Sequence, residues 1–502
     1  EIAERAGIAL RYGYGRGHHH SDNLNVEMWA HGQNQAPELG YPCWAHPMGA
    51  TAHTAHHCTG MIDYGRQYQG PISHGTLELY AGAPEASFAD VSAAPNGFPN
   101  RVYRRAVCLA DGPEGNVYLL DVMRMAGGAT RTWCFHGPQQ KAFDTNLTFG
   151  AVEADPLPIA SGRRLKPNIV QVQRAASDGD VFADWSHRDA EQRLRMDLLG
   201  APGRGYLTAV YAKTDVPDIR FLMAEDKSED GASEFVAIWQ PYTDAPFIES
   251  IERLPVEGWD GEGEFAPVAV RVTMTGGQVD TLIYSPDADA TLTAGGITLQ
   301  GSFGYWSTLD GASRCAHLVG GTLLRSGDEE FTLAESATVA TITDVDLVGN
   351  LITLNTQLPV GDALAGRMIF LTSADGRHRT AYEIAEVLAG GSVVRLRHNS
   401  IIYRSRVESF ADDGSSMTCE LPLALEAERG FKPGYYDGAL ITGEDLTARY
   451  RVDRVEGDKI FADRPLDSSD FPDVGDDGRI VVSIFDHAPG DRAVVYGRLF
   501  QR

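Results

Sequence analysis

Three things are scarce in this sequence: lysine, helical periodicity and long apolar runs. No run of 18 or more apolar residues occurs, so no transmembrane helix is expected. Of 43 basic residues only six are lysines (Lys141, Lys166, Lys213, Lys227, Lys432 and Lys459), which leaves 37 arginines. Against them stand 69 acidic residues, for a formal charge of −26. A nucleic-acid binder would carry a basic stripe, and that class is excluded. The six cysteines (Cys43, Cys58, Cys108, Cys134, Cys315 and Cys419) show no CxxC spacing, and the sequence specifies no disulfide pairing among them. Stretches of helical period are also scarce; Ala190 to Leu199 reads equally as a short helix or a strand.

What is present is short alternation. Leu24 to Met28, Val117 to Val122 and Val268 to Met274 alternate apolar and polar residues and are bounded by Gly, Asp, Asn or Pro. That is the pattern of half-buried antiparallel strands, and the 502 residues suffice for about two to four domains. The expected fold is all-β: a large antiparallel β-sandwich (supersandwich) over residues 1–255, a second sandwich-like domain over 256–336, and an accessory β domain over 337–502. The last holds an approximate duplication. Ala381 to Val387 echoes Arg449 to Val455, and Gly366 to Ile369 echoes Gly438 to Ile441. No titratable cluster recurs in these units, which points to a structural or accessory role.

The chemistry concentrates in the first 70 residues. Residues 17–24 read Gly-His-His-His-Ser-Asp-Asn-Leu. On an extended strand His18, His20 and Asp22 share one face. Glu38 follows in Pro37-Glu38-Leu39-Gly40-Tyr41-Pro42, and then His53, His56 and His57 ahead of Cys58. Two imidazoles and a carboxylate from separate segments make a zinc site, with Asp22 placed to orient a ligand histidine.

These segments resemble the heparinase II/III-like polysaccharide lyases. His18 to Asp22 is similar to the family's HxHxD, Pro37 to Pro42 to its PDxGYP-like segment, and Ala55 to Asp63 to its AHN-T-hydrophobic-D segment. Tyr118 to Val122, Gly127-Gly128 and Trp133 to Gly137 also match, as do Phe235 to Tyr242 and Phe247-Ile248, so the resemblance covers roughly residues 1–255. It implies a structural zinc on His20, Glu38 and His57, with His56 the competing register for the last ligand. It implies catalytic roles for His18 and for Tyr41, the nearest tyrosine to the cluster. The sequence departs from the family where Glu38 replaces an aspartate and Cys58 an asparagine.

The activity implied is β-elimination on a uronic-acid-containing acidic polysaccharide. Arg16, Arg66 and His136 are candidate substrate-binding residues, each with a surface or packing role as the competing reading; Arg11 and Trp44 stand in the same position. In the family an N-terminal α/α toroid supplies the other half of the cleft, and no such helical pattern occurs here. The chain therefore reads as the β-rich portion of a lyase partnered by a toroid segment or chain, periplasmic or extracellular. The alternative is a non-catalytic carbohydrate-binding or assembly protein that keeps the lyase scaffold.

Overall fold

The computed structural model describes residues 6–13, 20–40, 53–67, 75–94, 99–154, 157, 169–211, 219–376, 378–423, 434–474 and 478–502. Among them the chain is nearly all β, every strand pairing is antiparallel, and the only helical pieces are three-residue 3-10 turns. Arg193–Leu198 is a strand, which settles the ambiguity at Ala190 to Leu199. No helix among the described residues is long and apolar enough to cross a membrane. The chain divides into two units, Glu1–Ser336 with Gly497–Arg502, and Ala337–Tyr496.

The first unit is built from stacked sheets. An eight-stranded sheet runs, in spatial order, Gln140–Thr145, Val181–His187, Arg193–Leu198, Ala232–Tyr242, Val117–Ala126, Val102–Asp111, Ala86–Ala93 and Gly75–Ala81. A five-stranded sheet runs Ile169–Ala176, Gly205–Tyr211, Ile219–Lys227, Thr130–His136 and Gly60–Ile62. Their facing side chains form one core, in which Phe135 meets Trp239 edge-on at 4.7 Å and Trp133 stacks near Phe235 at 6.5 Å. Such aromatic pairs add to the area that burial removes from water.

A third sheet covers the other face of the eight-stranded one. Its strands include Ile248–Arg253, Val268–Met274, Gln278–Tyr284, Ile297–Leu309 and Ala312–Ser326. Phe88 stacks on Phe303 at 4.1 Å, and the Tyr118 hydroxyl donates to Asp280 at 2.8 Å. This layering explains why Val117–Ala126 is buried at all ten positions rather than at alternate ones: both of its faces meet another sheet. The strand Ile248–Arg253 lies ahead of the boundary expected near 255 yet pairs with Val268–Met274, and Arg498–Gln501 pairs with Ala312–Ser326.

The second unit contains two closed six-strand arrangements. The first runs Ala337–Asp346, Leu351–Leu354, Val393–Leu396, Arg379–Val387, Met368–Thr372 and Arg492–Tyr496. The second runs Ile401–Phe410, Ser416–Cys419, Lys459–Ala462, Tyr450–Glu456, Leu440–Gly443 and Arg479–Phe485, closed by pairing of its first and last strands. The two share one strand order, and Ile369 opposite Tyr382 in the first corresponds to Ile441 opposite Tyr450 in the second. One titratable cluster is formed in this unit among the described residues, once and not in each duplicated half: buried Asp486 accepts from Thr380 and Tyr382 and lies 3.4 Å from His378 and 3.3 Å from His487. Its members are separated by up to 109 residues, from His378 to His487, so no local motif announces it.

Candidate metal centre

A small three-stranded sheet, Gly7–Leu10, Val26–Ala30 and Gln33–Ala36, carries the first part of the site. Val26, Met28 and Ala30 point into the core and fix this sheet against the sandwich. His20 and Asp22 lie just before the middle strand. Glu38 lies just after the last. The other side comes from a 3-10 turn, Thr54–His56, which precedes strand Gly60–Ile62 at the edge of the five-stranded sheet. His53 caps that turn through its Nδ1, which accepts from the Ala55 amide at 3.1 Å, and is thereby accounted for.

His20, Asp22, Glu38 and His57 converge, and one ligand atom from each lies within 4.8 Å of the others. His20 Nδ1 is 2.8 Å from Glu38 Oε1, and His57 Nδ1 is 3.0 Å from Glu38 Oε2. The two imidazole rings lie 5.2 Å apart. Arg11 donates to Asp22 at 2.7 Å, so Asp22 is already engaged on its outer side. Of the two candidate registers, His57 faces Glu38. His56 instead packs near Phe221 and His53, with ring separations of 6.2 Å and 6.4 Å.

The electrostatics follow from this contact. Burial alone would raise the Glu38 carboxyl, but the imidazoles of His57 and His20 outweigh it and hold it well below the ordinary range. Burial likewise pulls His57 down, and the Glu38 carboxylate more than restores it. Burial and the charge of Glu38 raise the neighbouring Glu27. His56 is pushed well below its usual value by burial and by the adjacent histidines, and stays neutral. The Cys58 thiol is pushed up to about 12 by burial, which makes it a packed thiol rather than a thiolate.

The donor set fits zinc, which takes imidazole nitrogen and carboxylate oxygen in compact sites. His57 Nε2 is buried and meets no hydrogen-bond partner among the described residues. Its other nitrogen points at Glu38, so the ring presents a donor atom to the shared centre.

Buried residues behind the cluster hold its segments in place. Arg105 pairs bidentately with Asp121 at 2.7 and 2.6 Å, both fully buried, and its remaining Nη1 donates to the carbonyls of Leu24 and Cys58. Tyr103 accepts from Gln67 at 2.8 Å, donates to the Gly60 carbonyl at 2.8 Å and bonds Thr59. Gln67 in turn brackets Asn23, accepting from its amide at 2.7 Å and donating to its carbonyl at 3.1 Å. Nothing local in the sequence shows what Tyr103 and Arg105 hold, because the partners that tie them to the site segments lie 36 to 81 residues away.

The remaining expectations divide. Arg66 lies beside the cluster: its Nε donates to Ser21 at 2.9 Å, while its Nη2 is buried with no partner among the described residues. His136 is fully buried, bonds the Gly137 carbonyl at 2.9 Å and packs on Phe221 at 5.1 Å. Those contacts match the packing alternative. His18, Tyr41, Arg16 and Trp44 lie outside the described residues.

No protein-family model and no curated protein matches the sequence. Among solved structures, heparan sulfate lyase HepC from Pedobacter heparinus is similar at 15% identity over 57% of this chain and 38% of its own, with a TM-score of 0.37. A crystal structure of heparinase III is similar at 13% identity over 56% of this chain and 39% of its own, with a TM-score of 0.35. The chain thus spans about two fifths of the length of the structures it matches.

Proposed function

We propose that this chain is the β-rich portion of a polysaccharide lyase that cleaves a uronic-acid-containing acidic glycan by β-elimination. The convergence of His20, Asp22, Glu38 and His57 carries the reading, since three segments separate in sequence meet in one partly buried donor set. His20, Glu38 and His57 would hold a structural zinc, which ties the loops around the site together. In the reaction a base takes the proton α to the uronate carboxylate. Its electrons form the new C=C bond, and the glycosidic oxygen leaves with a proton from an acid. His18 and Tyr41, two residues before His20 and three after Glu38, are assigned to these transfers.

Arg66 supplies the carboxylate partner. Arg66 is half-buried and pairs with no carboxylate among the described residues, and arginine is suited to grip a carboxylate through two N–H bonds. Buried Nη2 beside Ser21 supports this assignment. An α/α toroid segment or chain would complete the cleft, and a polysaccharide substrate places the protein in the periplasm or outside the cell.

Elemental analysis of the purified chain, native and His20→Ala, tests the reading. One zinc per native chain that is lost in the variant is the expected result. Unsaturated uronate ends, formed on incubation with uronate polysaccharides in the presence of the toroid portion, would complete it. No bound zinc after supplementation would overturn the ligand assignment.

A further inference from the structure

The second unit makes one bond in two ways. Tyr382 and Tyr450 hold corresponding positions in its two closed arrangements, each opposite an isoleucine of the neighbouring strand. Each hydroxyl donates to an aspartate. In the second arrangement that aspartate is Asp470, which lies between the strands Lys459–Ala462 and Arg479–Phe485. The corresponding strands of the first are Val393–Leu396 and Arg492–Tyr496, and the whole second arrangement lies between them in the chain. The second is therefore the inner arrangement and the first the outer one. The aspartate that meets Tyr382 is Asp486, the residue that follows the last inner strand. The inner tyrosine is met from its own connection, and the outer one from the exit of the inner arrangement.

Asp486 is placed by the inner arrangement and bonded to the outer one. Phe485, just before it, pairs with both Ile401 and Leu440, so inner closure fixes where Asp486 lies. Its amide donates to the Ser400 carbonyl at 3.0 Å, which joins the exit of the inner arrangement to its entry. Its fully buried carboxylate accepts from Thr380 at 2.8 Å and from Tyr382, with His378 at 3.4 Å. These three are alternate residues on and just before the outer strand Arg379–Val387, so one strand face holds the carboxylate. Burial alone would raise this carboxyl, but His378 and His487 hold it well below the ordinary range, so it accepts as a charged group. Asp491 adds a second tie, accepting from the outer Ala374 amide at 3.2 Å. From the inner side Arg451 donates to the Pro489 carbonyl, and Tyr435 packs edge-on against His378 at 4.4 Å.

We propose that the connection 486–491 is a latch between the two closed arrangements, and that Asp486 transmits stability from the inner to the outer one. Opening of the inner arrangement withdraws Asp486. Thr380 and Tyr382 then lose their acceptor, and the outer strand that carries them is weakened. Leu440, Phe485 and Ala488 also bury in the outer core, which gives the coupling a second, apolar route. The latch is independent of the glycan reading, since no residue of the first unit enters it.

Hydrogen exchange of the full chain, followed strand by strand by mass spectrometry, tests the latch. Ile460→Ala opens a cavity in the inner core, away from the connection. It is expected to speed exchange by about tenfold or more in the inner strand Tyr450–Glu456 and by about tenfold in the outer strand Arg379–Val387. With Asp486→Ala added, Ile460→Ala is expected to speed exchange further in the inner strand only. Tyr382→Phe removes one bond and leaves the carboxylate in place. As a second background it is expected to cut the transmitted change to about a third, and it decides the matter where Asp486→Ala does not melt like a folded chain. An outer strand unmoved by Ile460→Ala overturns the coupling. Transmission of equal size in the native chain and in both backgrounds overturns the latch and assigns the coupling to the apolar contacts.

Discussion

Arg105 and Asp121 face each other from neighbouring strands as a fully buried, bidentate ion pair, and Arg105 Nη1 also joins the carbonyls of Leu24 and Cys58. The first carbonyl lies two residues after Asp22 and the second one residue after His57. One guanidinium therefore ties the two histidine-bearing segments together, beside the bonds of Val26 to Cys58 and of Thr59 to Asn23. Removing one partner of a buried pair leaves an uncompensated charge and costs about 3–5 kcal/mol. Asp121→Ala is expected to lose stability of that order in denaturant unfolding and to bind zinc more weakly. Undiminished zinc affinity in a folded Asp121→Ala chain would remove the positioning role.

The two adjacent histidines should behave differently. His57→Ala is expected to abolish zinc binding, because its Nδ1 faces Glu38. His56→Ala is expected to keep the zinc and to destabilise the fold by about 2–4 kcal/mol, as truncating a buried ring leaves a cavity. Metal content and thermal unfolding of the two variants, measured side by side, separate ligand from packing. Loss of zinc in the His56 variant with retention in the His57 variant would reverse the assignment.

His136 predicts a pH dependence. Burial pushes it down to about 4 from the usual 6.5, despite its bond to the Gly137 carbonyl. Between those values the unfolded chain binds a proton that the folded chain does not. Stability is therefore full above about pH 6.5 and falls as pH drops toward 4, by about 3 kcal/mol in all. A His136→Leu variant should show a flatter stability profile across that window. An unchanged slope would mean that His136 titrates normally in the folded protein.

Gly137 has a packing reason to be glycine. A Cβ there would sit 2.5 Å from the indole of fully buried Trp185. Gly137→Ala should cost about 1–3 kcal/mol in chemical denaturation through overpacking. A neutral substitution would show that Trp185 has room to move.

The β class was legible because alternation survives wherever one strand face is more polar than the other. It misled at Val117–Ala126, since alternation cannot tell whether the second face meets water or another sheet. There Asp121 and Arg124 are polar yet buried, each neutralised by a partner from a neighbouring strand. At the site, the His20, Glu38 and His57 spacing was visible as donor types in order. The Gln67–Tyr103–Asn23 bonds were not, because they depend on which strands become neighbours. The role of His53 as a turn cap was not legible either, since a cap is recognised only once the turn exists.

The paired arrangements in the second unit impose an order of assembly. The first closes only when Ala337–Asp346 pairs with Arg492–Tyr496, and the whole of the second, residues 401–485, is synthesised between those two strands. Until then both strands present open edges, which are templates for association with other chains. The second arrangement has all six of its own strands by Phe485 and is complete before its host. A nascent chain halted before Arg492 thus carries a finished domain inserted in an unfinished one. Because Ile401 pairs with Phe485 in that finished domain, its two ends are already together, and the final closure spans far less free chain than the 159 residues between Ala337 and Tyr496.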